Sequence, residues 1–575
     1  MSLLNDLFTL HLPFFIGILF LYRIIWPKKS LKTLPPSPPK LPLIGNLHQI
    51  GSFPQRSLKS LAEKYGPIML LHFGPKPAVI ISSAEAAKEV MKTHDVSFAD
   101  RPRTYAAGKI FYQFKDLSFS PYGEYWRQAR GVCVLQLLST KRVQSFKGIR
   151  EEEVKSMVEK VRKCCDLSTA VNADELFGTL TNDIIGRAAF GIKFSTEEGG
   201  SKLRKLLKNI PPLLSAFNIG DHIPWLSWVN YINGFEAKLS KVAKDCDDYL
   251  ENLVDQTRKK VESGDDEGEL CQQNIASVLL QIQKENTTGF LSDKDFVKAI
   301  ILDIIAGGTD TTYLLLYLIM AELLRNKDVM TKLQKEVREV LGKNSDVITD
   351  EDLQKMQYLN AVIKETLRFH PPVPLLVPRE AREDVNLMGY HVKKGTQVII
   401  NAWGIGRDSC LWEEAEVFKP ERFLNTSLDF KGHNFQYIPF GSGRRSCPGV
   451  NFAIPIAELA LANLIHKFNF SLPDGVTAED LDPTDVVGFI SQKETPLSFI
   501  ATGEKVIINA WGIGRDKSLW EKADKFKPER FLNTSFDFKG LNFQYIPFGS
   551  SRRLCNFDSR TCIGKFDAQI QLLIA

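Results

Sequence analysis

From Ser292 to about Arg325 the chain reads as one long helix that is apolar nearly all round. A helix without a polar face must be enclosed by other elements, so this segment belongs in the middle of a large, mainly helical fold. Its start carries the Ser-x-x-Asp spacing of a capping box, Ser292 to Asp295. A second box, Thr349 to Asp352, opens a helical region that must stop near His370, because Pro371 and Pro372 follow. Short β-rich runs at 68–73 and 78–82, set between helical patterns, predict a small sheet. The acidic stretch 263–269 breaks the periodicity and reads as an exposed loop. With 575 residues, 44% apolar and 25% charged, the chain can bury the core such a helix needs.

Other classes are excluded by charge and cysteine usage. The 73 Lys and Arg against 68 Asp and Glu leave +5, without the dense basic stripe that binding nucleic acid requires. Nine scattered cysteines without a CxxC suggest neither a disulfide framework nor a zinc site, and a reducing compartment. No HxxxH pair supports zinc hydrolysis, and no GxGxxG fingerprint or P-loop supports nucleotide binding, so electrons for any redox chemistry come from outside.

Between Asp6 and Arg23 no charge occurs, and the apolar stretch extends through Trp26, long enough for one bilayer crossing. Residues 1–26 therefore read as a membrane anchor. A cleaved signal peptide is the alternative, but there the charges precede the apolar run, whereas Lys28, Lys29 and Lys32 follow it. Those lysines place the rest on the cytoplasmic side. The basic, Pro-rich linker 27–42, with Pro35, Pro36, Pro38, Pro39 and Pro42, is expected to act as a stiff stand-off.

Phe440-Gly-Ser-Gly-Arg-Arg-Ser-Cys-Pro-Gly449 carries five residue types at set spacing: Phe440, Gly443, Arg445, Cys447 and Gly449. A chance match in a chain this long is on the order of 10⁻⁴. The segment resembles the cysteine-ligand loop of the cytochrome P-450 superfamily, and residues 34–502 resemble its plant microsomal type, closest to the seventy-one family. The resemblance implies a mainly α fold with small β-sheets, one haem b between the long central helix and the cysteine loop, and a monooxygenase domain over 43–502. It implies insertion of one oxygen atom from O2 into a lipophilic small molecule, such as a terpenoid, phenylpropanoid or indolic plant metabolite. Electrons would come from the NADPH-cytochrome P-450 reductase, with the enzyme anchored by a single pass in the endoplasmic reticulum membrane. Cys447 would be the axial ligand of the haem iron, its thiolate pushing electron density toward the metal, as is general for this family. Arg445 would pair with a propionate, Phe440 would screen the sulfur, and Gly443 and Gly449 would let backbone pass close to sulfur and porphyrin.

Ala306-Gly-Gly-Thr-Asp-Thr-Thr312 places two glycines in mid-helix, at about 1 kcal/mol each relative to alanine. In the resembled family the helix widens here over the iron, Thr311 hydrogen-bonds the oxygen being reduced, and Asp310 helps to bring protons. Trp126 and Arg130 match the propionate-binding helix, with Arg379 helping and Arg101 a further candidate. Glu365 and Arg368, with Arg422 of Pro420-Glu-Arg-Phe423, match a structural Glu–Arg–Arg cluster. The same Glu-x-x-Arg spacing at Glu124/Arg127, Glu159/Arg162 and Glu322/Arg325 reads as solvated helix pairs. Substrate contacts would come from the 101–122 region, the central helix before Gly307, 373–377 and 487–489. Arg444 and Lys419 would offer basic contacts to the reductase.

Residues 398–447 and 506–555 match at 41 of 50 positions. The segment 503–575 is expected to be a non-functional partial duplicate plus unrelated tail. In it Gly443 has become Ser551 and Gly449 has become Phe557, and no second Gly-Gly-Thr-Asp-Thr helix precedes, so Cys555 is expected to bind no haem. Two other readings remain: a haem-thiolate isomerase or dehydratase, and a non-catalytic membrane protein inactivated by the tail.

Overall fold

The computed structural model describes residues 33–196, 198–215, 218–263, 274–285, 289, 292–342, 348–481, 497–503, 510–532 and 534. The chain divides into two compact units, Met1–Gly503 and Glu504–Ala575. The expected anchor, the first part of the linker, most of the acidic loop, the 487–489 turn and Cys555 lie outside the described residues.

In the first unit the central helix is Lys294–Arg325, buried along most of its length. Its cap falls one residue later than the spacing predicts: Asp293, not Ser292, accepts the Asp295 N–H at 2.8 Å. The Ser292 hydroxyl turns back to the Gly289 carbonyl instead, at 2.7 Å. Among the described residues this is the one helix long and apolar enough to cross a membrane, and it is the core of the fold. The second box forms as expected, Asp352 N to Thr349 Oγ1 at 3.2 Å and Thr349 N to Asp352 Oδ2 at 3.0 Å. The helices Asp350–Lys355 and Gln357–Phe369 follow, the latter ending at His370 before the prolines.

Sheet is minor, and its role is positional. One four-stranded sheet has the order Ile68–Phe73, Lys76–Ile81, Gln397–Ile400, Arg379–Glu380, with the middle pair parallel and the outer pairs antiparallel. Pairing of Arg379 with Val398 carries that arginine to the inner edge of the sheet. A three-stranded sheet joins Val171–Asn172, Ser498–Gly503 and Phe468–Ser471. The Pro-rich segment is fastened down: the Pro36 carbonyl accepts Leu70 N–H and the Thr33 carbonyl accepts His391 N–H, each at 2.8 Å. Thr33 and Pro36 are thus tied by their carbonyls to strands of the folded unit.

The second unit, where described, repeats the local structure of its template. Ala510–Ile513 and Pro528–Phe531 are helical turns, as are Ala402–Ile405 and Pro420–Phe423. The Trp520–Phe531 rings lie 6.0 Å apart, against 5.8 Å for Trp412–Phe423.

Candidate active site

The central helix and the cysteine loop line a shared, partly open cavity of about 310 Å³. Gly307, Asp310 and Thr311 line it, as do Phe440, Arg445, Cys447 and Gly449, together with Arg101, Trp126, Arg130 and Arg379. The sequence had scattered these residues over nearly 350 positions; the fold brings them to one wall system.

The two mid-helix glycines have different reasons. A Cβ at Gly308 would stand 2.9 Å from Ile185 Cδ1, so glycine permits close packing of the helix Ala173–Phe190. At Gly307 a Cβ would meet nothing within 4 Å, because that face opens onto the cavity. The helix remains α-helical through this region, so the expected widening is not a break in its ladder. The Thr311 hydroxyl donates to the Gly307 carbonyl at 2.6 Å, which leaves its lone pairs to accept a hydrogen bond from a group in the cavity. Burial raises the Asp310 carboxyl to about 6, with Lys208 pulling it down.

Cys447 presents open surface, yet protein surrounds it: the free surface faces the cavity, not the outside. Burial pushes its thiol up, while the Gly449 N–H, 3.4 Å from Sγ, and the Arg130 guanidinium favour the anion. The sulfur stands just before the helix Val450–Lys467, whose N-terminal dipole adds in the same sense. Phe440 is tied to the cysteine through its carbonyl, which accepts Cys447 N–H at 2.9 Å.

Gly443 does not line the cavity. Its φ is +71°, and a Cβ there would lie 2.3 Å from the Met91 carbonyl oxygen and 2.7 Å from Asp95 Oδ1. Glycine is therefore required by the neighbouring backbone, not by sulfur or porphyrin. Gly449 has an ordinary φ of −86°, and a Cβ there would make a normal 3.7 Å contact with the cysteine sulfur. Gly443→Ala is accordingly expected to lose at least about 1–2 kcal/mol from the left-handed backbone alone, read as a lower unfolding midpoint; an unchanged midpoint would remove this account.

Four guanidiniums converge on the cavity. Arg445 donates to the carbonyls of Ala99 at 2.8 Å, Leu117 at 3.2 Å and Ser120 at 2.6 Å, and lies 4.2 Å above the Trp126 ring. Trp126 Nε1–H donates to the Leu117 carbonyl at 3.0 Å, so its hydrogen bond goes to backbone and its ring supports Arg445. Arg379 pairs with Asp95 at 3.1 Å, and Arg101 donates to Ser118, Val377 and Pro378 carbonyls. Arg130 meets Ser446 Oγ at 3.3 Å. Burial, and then the other arginines, lower Arg101 well below its usual value and Arg445 to about 9. Asp95, Asp116 and Asp303 offset part of this charge, but burial raises both Asp116 and Asp303 and so weakens their contribution. A dry wall of mutually repelling cations beside a free thiol suits a flat, iron-bearing ligand with two carboxylates. The residues present fit haem.

Glu365 and Arg368 are fully buried and doubly bonded, Nε to Oε2 and Nη2 to Oε1, both 2.7 Å. Arg422 Nε reaches Glu365 Oε1 at 3.0 Å. Glu159–Arg162 is the exposed pair expected of that spacing. Glu322 is not: it is buried and bonded to His370 at 2.8 Å, because it lies on the enclosed central helix. Arg444 and Lys419 already have acidic partners, Asp95 at 2.9 Å and Glu414 at 2.6 Å.

Sequence reasoning missed Asp303, which accepts Leu117 N–H at 3.1 Å and the Ser118 hydroxyl at 2.5 Å and lines the cavity. A carboxylate set inside the apolar run 299–306, two turns before Thr311, was the available signal. The apolar wall contributed by Leu207, Ile210 and Leu214 gave none, since any amphipathic helix shows such residues.

The cytochrome P450 family pattern matches residues 35–499, and matches again over 495–556. The chain belongs to the cytochrome P450 family. Haem b is its cofactor, and it is an oxidoreductase of the monooxygenase class. It is 66% identical over 503 residues to tabersonine/lochnericine 19-hydroxylase of Catharanthus roseus, a match covering 87% of this chain and 99% of that protein. Cytochrome P450 71A2 of Solanum melongena is 49% identical, over 86% and 98% of the two chains. A solved zebra fish cytochrome P450 with progesterone superposes with a TM-score of 0.68 at 22% identity, covering 78% of this chain and 99% of that one, which shows the shared fold. These relatives place the chain among P450s of the plant seventy-one type.

Proposed function

We propose that this P450 is a membrane-anchored plant monooxygenase that oxidises a lipophilic specialised metabolite with electrons from the NADPH-dependent cytochrome P-450 reductase. The carrying observation is that Cys447, Thr311, the buried Arg101, Arg379 and Arg445 and the half-buried Arg130 line one largely apolar cavity. Cys447 would hold the iron, and Arg445, Arg130 and Arg379 would take the propionates, with Trp126 supporting Arg445. When bound, haem supplies O2 activation and one-electron chemistry. Asp310, raised to about 6, takes up and releases a proton close to neutral pH, and Thr311 accepts and passes hydrogen bonds beside it; such positioned proton transfer contributes typically 10²–10⁴-fold. Phe111, Phe119, Ile304, Val373 and Leu376 exclude water and orient an apolar substrate.

Tabersonine and lochnericine, the compounds in the relative's name, are the first substrates to test. Incubation of the full chain with reductase, NADPH and each compound should give a hydroxylated product; absence of turnover by haem-loaded protein would discard that substrate class. Thr311→Ala should lower product and raise hydrogen peroxide per NADPH roughly in proportion. Unchanged coupling would remove its assigned role. The exposed Trp225, Trp228, Tyr231 and Ile232 support a membrane-facing surface, aromatic residues being favoured at the lipid interface.

The duplicated tail is proposed to bind no haem. Truncation after Thr502 is expected to leave haem content per chain unchanged, measured after extraction, and a loss of haem would assign the tail a folding role.

A further inference from the structure

Where the helix Ala173–Phe190 meets the central helix, contact is tight at Ile185 and Gly308. Toward its N-terminus the contact changes character. Asp174, Gly178, Thr181 and Ile185 recur at helical spacing and share one face, as do Asp310, Tyr313 and Tyr317 on the central helix. The Tyr313 hydroxyl bridges the two by donating to Asp174 Oδ1, and the Tyr313 and Tyr317 rings lie 6.1 Å apart.

Two observations point to water in this seam. Asp174 Oδ2 and Tyr317 Oη are buried without a hydrogen-bond partner among the described residues. A Cβ at Gly178 would meet nothing within 4 Å, so open space adjoins the face that carries Asp174. Buried polar atoms that lack a protein partner and have room beside them are where ordered water sits.

We propose that this polar seam is the inlet by which protons reach the cavity, a file of water running from Asp174 past Tyr313 to Asp310. The proposal rests on the reading of Asp310 as the proton donor to the cavity. As Asp310 releases its carboxyl proton beside Thr311, it regains one from the adjoining water. That water is restored through the Tyr313 hydroxyl. Asp174 takes a proton from solvent, and the hydrogen bond between the two inverts as the acid gives that proton to Tyr313 Oη and the phenol gives its own to the water. Asp174 then returns to the carboxylate that accepts from Tyr313 at rest. Tyr313 remains a neutral phenol throughout, since burial and the Asp174 carboxylate push its ionisation far above neutral pH. Tyr313 and Asp174 are positioning residues for the relay, acting through Asp310. The competing inlet is Lys208, exposed on the helix Glu198–Ser215 and acting on Asp310 from that element.

The test uses full-length, haem-loaded variants whose carbon monoxide spectra show intact protein. Tyr313→Phe cuts the relay, and Gly178→Val fills the open space without touching a titratable group. Both are expected to raise the ratio of hydrogen peroxide to product about tenfold. Both should also slow the heavy-water shift of the protonated Asp310 carboxyl band in the infrared spectrum of the resting protein at pH 5, assigned by its loss in Asp310→Asn. Lys208→Gln should leave both readouts as in the parent. Wild-type coupling and exchange in Tyr313→Phe and Gly178→Val, beside an uncoupled Asp310→Asn, would overturn the seam. Unchanged coupling in Asp310→Asn itself would overturn the reading beneath it.

Discussion

Cys447→Ser is expected to abolish monooxygenase turnover and the red-shifted thiolate band of the reduced carbon monoxide complex. A thiol with an ordinary pKa of about 8.5 becomes an anionic ligand once iron binds, whereas a serine hydroxyl is far less acidic and donates less charge. The site is built around that anion: the Gly449 N–H points at Sγ and Arg130 lies near enough to favour it. None of these groups can make an alkoxide strong enough to replace it. Haem content, measured separately, should fall less than activity, because Arg445, Arg379 and Arg130 would still hold the carboxylates. A surviving thiolate band in Cys447→Ser would show that another cysteine supplies the ligand and would remove the basis of the assigned chemistry.

Glu365→Ala should be the most destabilising single change outside the cavity. The Glu365 carboxylate accepts two bonds from Arg368, one from Arg422 and one from Lys419 N–H at 2.8 Å, in a site closed to solvent. Arg368 in turn holds the carbonyls of Ala415 at 2.9 Å and Val417 at 3.2 Å, so the cluster anchors the segment that leads to the cysteine loop. Removing one member of a buried ionic group strands its partners and costs about 3–5 kcal/mol, a large share of the roughly 5–15 kcal/mol that holds a domain together. The expected result is mostly haem-free, aggregation-prone protein, with thermal inactivation of any folded fraction lowered by on the order of 10 °C. Glu365→Gln keeps an acceptor but not the charge and should fall between. Normal haem loading and stability in Glu365→Ala would refute the structural role.

Much of this was legible in order along the chain. Pro371 and Pro372 end a helix because their rings forbid its continuation, and the Thr349–Asp352 box works because both of its bonds are local. The cysteine loop was legible because its spacing is improbable by chance. The Glu-x-x-Arg spacing was not, since four copies read alike. Glu159–Arg162 is half exposed on both sides, Glu365–Arg368 is fully enclosed, and Glu322 is enclosed with a histidine. The role of Gly443 was misread for the same reason, since Met91 and Asp95 approach it from more than 340 positions away.

The duplicated segment separates the two levels within one molecule. Given nearly the same residues, 510–532 forms the same turns as 402–424, and Lys522 takes the positive φ of Glu414, 53° against 49°. Arg530 donates to backbone carbonyls of 522 and 525 as Arg422 does to those of 414 and 417. Short-range sterics and hydrogen bonds suffice for that much, so residue order alone specified the turns, the helix ends and the reactive cysteine. Phe418, packed against Phe369, is 8% exposed, while its counterpart Phe526 is 97% exposed, and among the described residues Arg530 bonds only backbone carbonyls, with no carboxylate in the place of Glu365. Whether a side chain is buried, paired with a charge or turned toward a cavity depends on elements far away in sequence, and apolar burial and charge desolvation are set by that enclosure. Only the folded arrangement could decide which glutamate anchors the core, which glycine is indispensable, and that four distant arginines meet around one sulfur.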